Sequence, residues 1–403
     1  MKALVVGGGV AGPAVALGLQ RVGVDAVVLE ARTEAQLRAG SYLTLSPNGV
    51  HAADQLGVAA ELRAAAFPTR RNDLVSGTGR ALGSVPLGSP LSDGTTGLTL
   101  KRPALAELLA TAASARGTEV RYGARVVAVH DGTDRVEVEL DDGSRVGGDL
   151  LVAADGVRSR VRSLVDPSAP EGRYVGLTNF GGITRDTPRA EELPREAWQM
   201  VFGARAFFGA HRTPEGDVVW FANVPRPAIG ADERAATSDE QWQGWLADLL
   251  ADDAGPAAEL VRTGRLELAG DSTYDLGHVP VWHRGRVVLV GDAAHAPAPS
   301  SGQGASMALE DAVELARCLR DVPSGVEDAF AAYEALRRER VERIVEAGAR
   351  SSSSKVPGRV GRVVRDAMLR LVFRYVVTDR SVAWMSDHRV SLDSPVPAPT
   401  GRG

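Results

Sequence analysis

The chain has 403 residues, 44% of them hydrophobic, enough for one large or two ordinary domains with real cores, and two interleaved domains is the expectation. A formal net charge of -5 argues against nucleic acid as a partner, because its binders present a basic surface. The single cysteine, Cys318, rules out an internal disulfide, and its Ala/Leu-rich helical setting reads as a small buried hydrophobe.

Residues 3–6 form an apolar run too short for a signal peptide and lead straight into glycines, so the expected location is the cytoplasm. No stretch approaches the roughly 20 apolar residues of a membrane span, so stable membrane insertion is not expected. A strand at 3–6, a helix to about Val22 and a strand at 26–29 make a βαβ unit and imply a parallel sheet. A long helix follows Arg102, with Pro103 in its first turn, where a missing N–H does no harm. Strands are expected at 119–122, 125–129 and 136–140, with Asp141-Asp142-Gly143 as turn chemistry. From about 172 to 273 the pattern becomes alternating strands rich in rings, which reads as a separate antiparallel sheet covering an apolar ligand. Parallel character returns at 286–290, followed by helices at about 304–320 and 326–347. Ser351 to Ser354 read as an interhelical loop, and the tail after Ser394 as frayed. A last helix at about 359–377 carries Val360, Val363, Val364, Met368, Leu371, Val372 and Tyr375 on one face; it either packs over the domains or a dimer partner, or touches a membrane.

Three segments carry the chemistry. Gly7-x-Gly9-x-x-Gly12 lies between a strand and a helix: glycine permits the turn, close approach to a pyrophosphate and tight helix packing, and the helix N-terminus, around Val10 and Ala11, offers free N–H groups. Glu30 ends the second strand, where a carboxylate can accept from adenosine ribose hydroxyls; Arg32 is either a surface arginine or lies over the adenine. The buried-strand pattern at 150–154 ends in Asp155-Gly156, and Arg158, Arg160 and Arg162 then crowd a helix start, which calls for a nearby anion such as a pyrophosphate. The strand at 286–290 delivers Gly291-Asp292 and then His295; Asp292 suits a polyol hydroxyl, and Gly302-Gln303-Gly304 opens a helix whose N–H groups can stabilise negative charge on a reduced flavin. His295 has no second His or Cys at ligand spacing and reads as a structural loop residue, so no metal is expected.

Together with Pro299 and the run Glu310-Asp311-Ala312, these segments resemble the class A FAD-dependent monooxygenases, the family of p-hydroxybenzoate and salicylate hydroxylases, over about residues 1 to 350. The resemblance implies a Rossmann-like FAD domain with a parallel sheet, plus a substrate domain built on a mostly antiparallel sheet and C-terminal helices. The expected boundaries are 1–72, 98–171 and 274–350 for the FAD domain, 73–97 and 172–273 for the substrate domain, and 351–403 for the C-terminal helix and tail. By the same analogy Arg102 contacts the flavin or its pyrophosphate, Val126 approaches the adenine through backbone, and Tyr42, Thr44 and Asn48 border the flavin. His211 is a candidate to help deprotonate a phenol, although strand alternation equally allows it to face solvent. The implied reaction uses NAD(P)H without a second Rossmann motif; O2 adds at flavin C4a, and the hydroperoxide passes one oxygen to an aromatic or polyketide-like substrate. A monomer or a homodimer is expected. The alternatives are a flavin-dependent halogenase, disfavoured because no W-x-W-x-I-P run occurs, and a flavin-binding protein without turnover.

Overall fold

The computed structural model describes residues 1–38, 40–352, 359–375 and 379–397. Lys2–Val6 forms a strand because its apolar side chains are buried on both faces, as expected at the centre of a parallel sheet. Six strands lie in the order His283–Arg284, Val287–Leu289, Leu150–Ala153, Lys2–Val6, Asp25–Glu30 and Glu119–Tyr122. All pair in parallel except the short edge hairpin of His283–Arg284 with Val287–Leu289. The helix Ala11–Arg21 packs against Gly304–Asp321, where Gly18 leaves no room for a Cβ beneath the Ala312 carbonyl. Arg102–Ala115 begins on its Pro103 as expected.

Val126–Asp131, Val136–Leu140 and Arg145–Gly148 form a separate antiparallel meander rather than extending the parallel sheet. The ring-rich region builds a seven-stranded sheet, ordered Arg265–Asp275, Arg173–Thr184, Val218–Pro225, Phe207–Arg212, Ala197–Phe202, Arg71–Ser76 and Ala81–Pro86. The last two strands come from far earlier in the chain, and Ala197–Phe202 pairs with Arg71–Ser76 in parallel, the one non-antiparallel pairing in that sheet. Trp220, Phe180 and Phe208 fill the core between this sheet and the helices Asp239–Leu250 and Ala257–Thr263. A second three-stranded sheet, Tyr42–Leu45, Gly97–Lys101 and Phe67–Thr69, touches the seven-stranded sheet where Tyr42–Leu45 meets Val218–Pro225.

One expectation shifts. The helix Val326–Ser352 runs through Ser351 and Ser352, which were expected in a loop; Glu346 pairs with Arg350 one turn on and no proline intervenes before Pro357. Ser353 and Ser354 lie outside the described residues, as do Val376, Val377 and residues 398–403. Cys318 is fully buried, and burial pushes its thiol up to about 12, so it behaves as a hydrophobe. Among the described residues, no helix is long and apolar enough to cross a membrane.

Candidate functional site

The register of the parallel sheet pairs Val6 with Ala153 and Ala153 with Leu289. The carboxyl ends of three adjacent strands are therefore flush, and the turns at Gly7, Asp155 and Gly291 open on one edge, where such sheets bind ligands. Gly7 adopts φ +113, and a Cβ there would overlap the Ala154 carbonyl, so only glycine turns the chain this sharply. Gly12 packs against the Gly7 carbonyl. A Cβ on Gly9, by contrast, meets nothing within 4 Å, so this stretch of backbone faces open space. Val10 is the N-cap of Ala11–Arg21 and no side chain caps that helix, which leaves its first N–H groups available to an anion.

Glu30 is buried. Its carboxylate accepts from Gly8 N at 2.6 Å, Arg32 N at 2.8 Å and Arg32 Nε at 3.0 Å. It therefore braces the glycine turn from below, and it holds Arg32, which is neither a free surface arginine nor placed by chance. Val126 follows beside it, because Ala124 N donates to the Glu30 carbonyl at 2.8 Å.

Two of the arginines after Asp155, which the sequence set beside a pyrophosphate, have partners within the protein. Asp155 closes the start of Arg160–Val165: it accepts from Ser159 Oγ at 2.5 Å, Arg160 N at 2.9 Å and Val161 N at 3.1 Å. Burial nonetheless raises its carboxyl, which these bonds only partly offset. Arg162 turns inward and donates to the carbonyls of Val157, Pro170 and Ala293, tying this turn to the Gly291 turn. Arg158 lies over the Tyr274 ring at 4.6 Å. Gly156, at φ +84, faces open space.

Gly291, at φ +56, is fixed by Asp311, whose carboxylate accepts from Gly291 N and from His295 Nε2, each at 2.8 Å. His295 is thus a buried structural partner. Asp292 points elsewhere. Among the described residues nothing donates to its carboxylate, and burial raises its pKa against the opposing pull of the Arg102 and His295 charges. Its Oδ1 lies 3.8 Å from where a Cβ of Gly304 would stand, beside the helix Gly304–Asp321, whose N-terminus also lacks a side-chain cap. The turn Pro299–Ser301 and Gly302, at φ +64, aim that helix. The Gln303 side chain, however, is spent internally: Nε2 donates to Ser46 Oγ and Oε1 accepts from Asn48 Nδ2, both at 3.0 Å. Its backbone N–H donates to Ser301 Oγ at 3.2 Å, and its carbonyl accepts from Met307 N at 2.8 Å as the helix begins.

An unpartnered acid beside one uncapped helix, with a second uncapped helix over an open glycine turn, fits a ligand with polyol hydroxyls and phosphates, as in FAD. Asp292→Ala is expected to fold normally and to weaken FAD binding about tenfold, or ~1.4 kcal/mol, in a fluorescence titration of apoprotein; unchanged affinity removes Asp292 from the site.

Sequence reasoning missed what stands behind this edge. Asn48 Nδ2 also donates to Glu310 at 2.7 Å; Arg337 bridges Glu310 at 2.6 Å and Asp311 at 2.7 Å; Arg340 donates to Glu310 at 2.8 and 3.0 Å and to the Trp384 and Met385 carbonyls. The signal was present: two acids on the buried face of an apolar helix require cations, and the next helix offers Arg337 and Arg340.

The ring-rich face adjoins the small sheet. Tyr42, Phe67, Met200 and Phe221, each partly exposed, pack on Trp198, Ile183 and Val219. His211 is expected to act as a base or to face solvent, and its geometry favours neither. It is 1% exposed between the rings of Phe67 and Trp198, with Nδ1 2.6 Å from the Arg212 carbonyl and Nε2 3.0 Å from Thr69 Oγ1. Burial pushes its pKa down to about 4, so it is neutral. With Nδ1–H donating to the carbonyl, Nε2 must accept, and the direction of every bond beyond it follows. Thr69 donates to His211, Thr99 to Thr69, Thr44 to Thr99, and Trp198 Nε1 to Thr44, at 2.6 to 3.0 Å.

Residues 1–348 match the family model described as the FAD binding domain. The chain is 32% identical over 350 residues to the aurachin C monooxygenase/isomerase of Stigmatella aurantiaca, covering 86% of this chain and 87% of that one. It is also 32% identical over 352 residues to the FAD-dependent urate hydroxylase of Klebsiella oxytoca, covering 86% and 88%. The solved structure of Klebsiella pneumoniae HpxO complexed with FAD and uric acid superposes with a TM-score of 0.80 at 28% identity, over 96% of this chain and 97% of that one. With its three glycine turns on one sheet edge and this match along most of its length, the chain belongs to the class A FAD-dependent monooxygenases.

Proposed function

We propose that this monooxygenase consumes NAD(P)H and O2 to hydroxylate or epoxidise an electron-rich aromatic or polyketide-like small molecule. One atom of O2 enters the substrate, the other leaves as water, and NAD(P)H supplies the two electrons. FAD, when bound, supplies the oxygen-activating chemistry. The backbone of Gly7, Gly9, Val10, Ala11 and Gly12 faces its pyrophosphate; Glu30, Arg32 and Val126 border the adenosine; Asp155 and Gly156 shape the neighbouring turn, with Arg102 and Arg158 at its flanks. Gly291 and Asp292 meet the ribityl chain, while Pro299, Gly302, Gln303 and Gly304 bring an uncapped helix N-terminus to the ring edge. The observation carrying this reading is the flush alignment of three strand ends beside an unpartnered Asp292.

The partly exposed rings of Tyr42, Phe67 and Phe221 support a flat, apolar substrate, held between the seven-stranded and small sheets where water is excluded. Relatives named for urate and for aurachin C support a small-molecule substrate. His211 acts as a positioning residue: it fixes the direction of the hydroxyl chain, so that Thr44 presents a set polarity to the substrate wall. The test is NADH and NADPH oxidation by the FAD-loaded protein across phenols, quinolones and polycyclic polyketides under isotopically labelled O2. Stimulated oxidation with one labelled oxygen in the product is expected. If no compound stimulates oxidation, the oxygenation reading of this chain fails.

A further inference from the structure

The helix Arg359–Tyr375 docks one side on the edge of the seven-stranded sheet. Phe373 lies against Gly83, Arg370 Nε donates to the Ala81 carbonyl at 3.2 Å, and Arg365 donates to the Phe202 carbonyl at 3.0 Å with its guanidinium 5.4 Å from the Phe202 ring. The outer side runs against the usual pattern. Val364, Met368 and Leu371, spaced four and then three residues apart, are 62%, 52% and 61% exposed, and Ala367 lies exposed among them. Apolar residues at this spacing belong on the buried stripe of a surface helix. Here they face outward, and they make up half of the large exposed hydrophobics among the described residues.

We propose that this outer face docks the protein on an anionic lipid surface. The stripe exposes on the order of 300 Å², a patch size that marks an interaction site yet falls well short of the ~800 Å² per partner of a stable protein dimer. Charge complementarity selects the surface: the helix carries Arg359, Arg362, Arg365, Arg370 and Arg374 against one acid, Asp366, within a chain of net charge -5. A helix of net positive charge is drawn to an anionic surface as a whole and seats its outer stripe of Val364, Met368 and Leu371 among acyl chains, while Arg365 and Arg370 hold its inner side on the sheet. The inner side connects this helix to the substrate wall through an unbroken row of ring contacts: Phe202 to Phe207 at 5.1 Å, Phe207 to Phe221 at 6.1 Å, Phe221 to Trp198 at 5.3 Å. A docked molecule therefore holds one end of that wall close to the lipid.

The test is co-sedimentation of the full FAD-loaded chain with vesicles of phosphatidylcholine, with or without about 30 mole per cent phosphatidylglycerol. About tenfold more protein is expected to pellet with the anionic vesicles, and roughly 0.5 M salt, which shortens the screening length to about 4 Å, should remove most of the difference. The double variant M368E/L371E, whose side chains touch no core, is expected to keep its melting temperature and lose the binding. Equal pelleting with neutral and anionic vesicles, or a double variant that binds as well as the parent, overturns the proposal. So does a chain that ignores vesicles but forms a dimer in sedimentation velocity that the double variant dissociates. This readout needs no turnover, so failure of the oxygenation assay leaves it standing.

Discussion

Gly9→Val is expected to produce a folded protein that no longer retains FAD. An added Cβ at Gly9 meets nothing within 4 Å, and its φ is not positive, so the backbone there tolerates a β-carbon and the apoprotein is expected to fold with the substitution. The space it fills is the space the pyrophosphate needs, at the point where backbone must approach phosphate most closely. The loss should reach at least 100-fold in FAD affinity, ~2.7 kcal/mol, with a melting temperature of the apoprotein within a few degrees of the parent. The same substitution at Gly7 or Gly12 would not separate binding from folding, because there the Cβ collides with backbone. A yellow Gly9→Val protein with parental affinity would remove the glycine turn from the binding site.

Arg337→Ala is expected to cost ~3–5 kcal/mol of stability, since it leaves Glu310 and Asp311 charged, fully buried and short of a partner. Arg337→Lys keeps the charge but cannot bridge both acids, and should fall between. Thermal unfolding of the apoproteins reads the order; a variant as stable as the parent would show that Arg340 and His295 suffice. The same cluster sets an acid limit. Burial by itself would raise the Glu310 carboxyl, but Arg337 and Arg340 more than offset it and bring it to about 2; Asp311 is likewise held below the usual range by His295 and Arg337. Carboxyls depressed in the folded state stabilise it above their unfolded pKa near 4, and that contribution drains away as pH falls toward about 2. His211 acts earlier in the same direction. Neutral in the fold with a pKa of about 4, it takes a proton in the unfolded chain near 6.5, so stability declines as pH falls between those values.

The parts of this protein that sequence revealed are those in which glycine or a buried run is the only workable choice. The parallel strands at Lys2–Val6, Leu150–Ala153 and Val287–Leu289 are short apolar runs ending in glycine turns, and each turn lies where the pattern placed it. The small sheet of Tyr42–Leu45, Phe67–Thr69 and Gly97–Lys101 left no such trace, because strands of three to five residues carry too few alternations to register. The pairing of Arg71–Ser76 with Ala197–Phe202 left no trace in the residue pattern, and only the family resemblance grouped residues 73–97 with 172–273, since pairing over more than 120 residues depends on tertiary packing. In the site, residue identity was easier to read than side-chain direction. Gln303 and Asp155 belong to the binding turns, yet their side chains serve the protein's own backbone and hydroxyls. His211 was visible as a histidine among rings; that its neighbours form a one-way chain of hydroxyls was not, because Thr44, Thr69 and Thr99 are brought together only by the small sheet.

The flush strand ends also bear on when the cradle can exist during folding. Turns at residues 7, 155 and 291 become one surface only after strands separated by nearly the whole domain have aligned side by side, and such distant pairings close slowly. No local fragment of the chain offers a complete cradle. The cofactor is therefore expected to bind the assembled sheet, so that added FAD raises the melting temperature of the protein while leaving its refolding rate nearly unchanged.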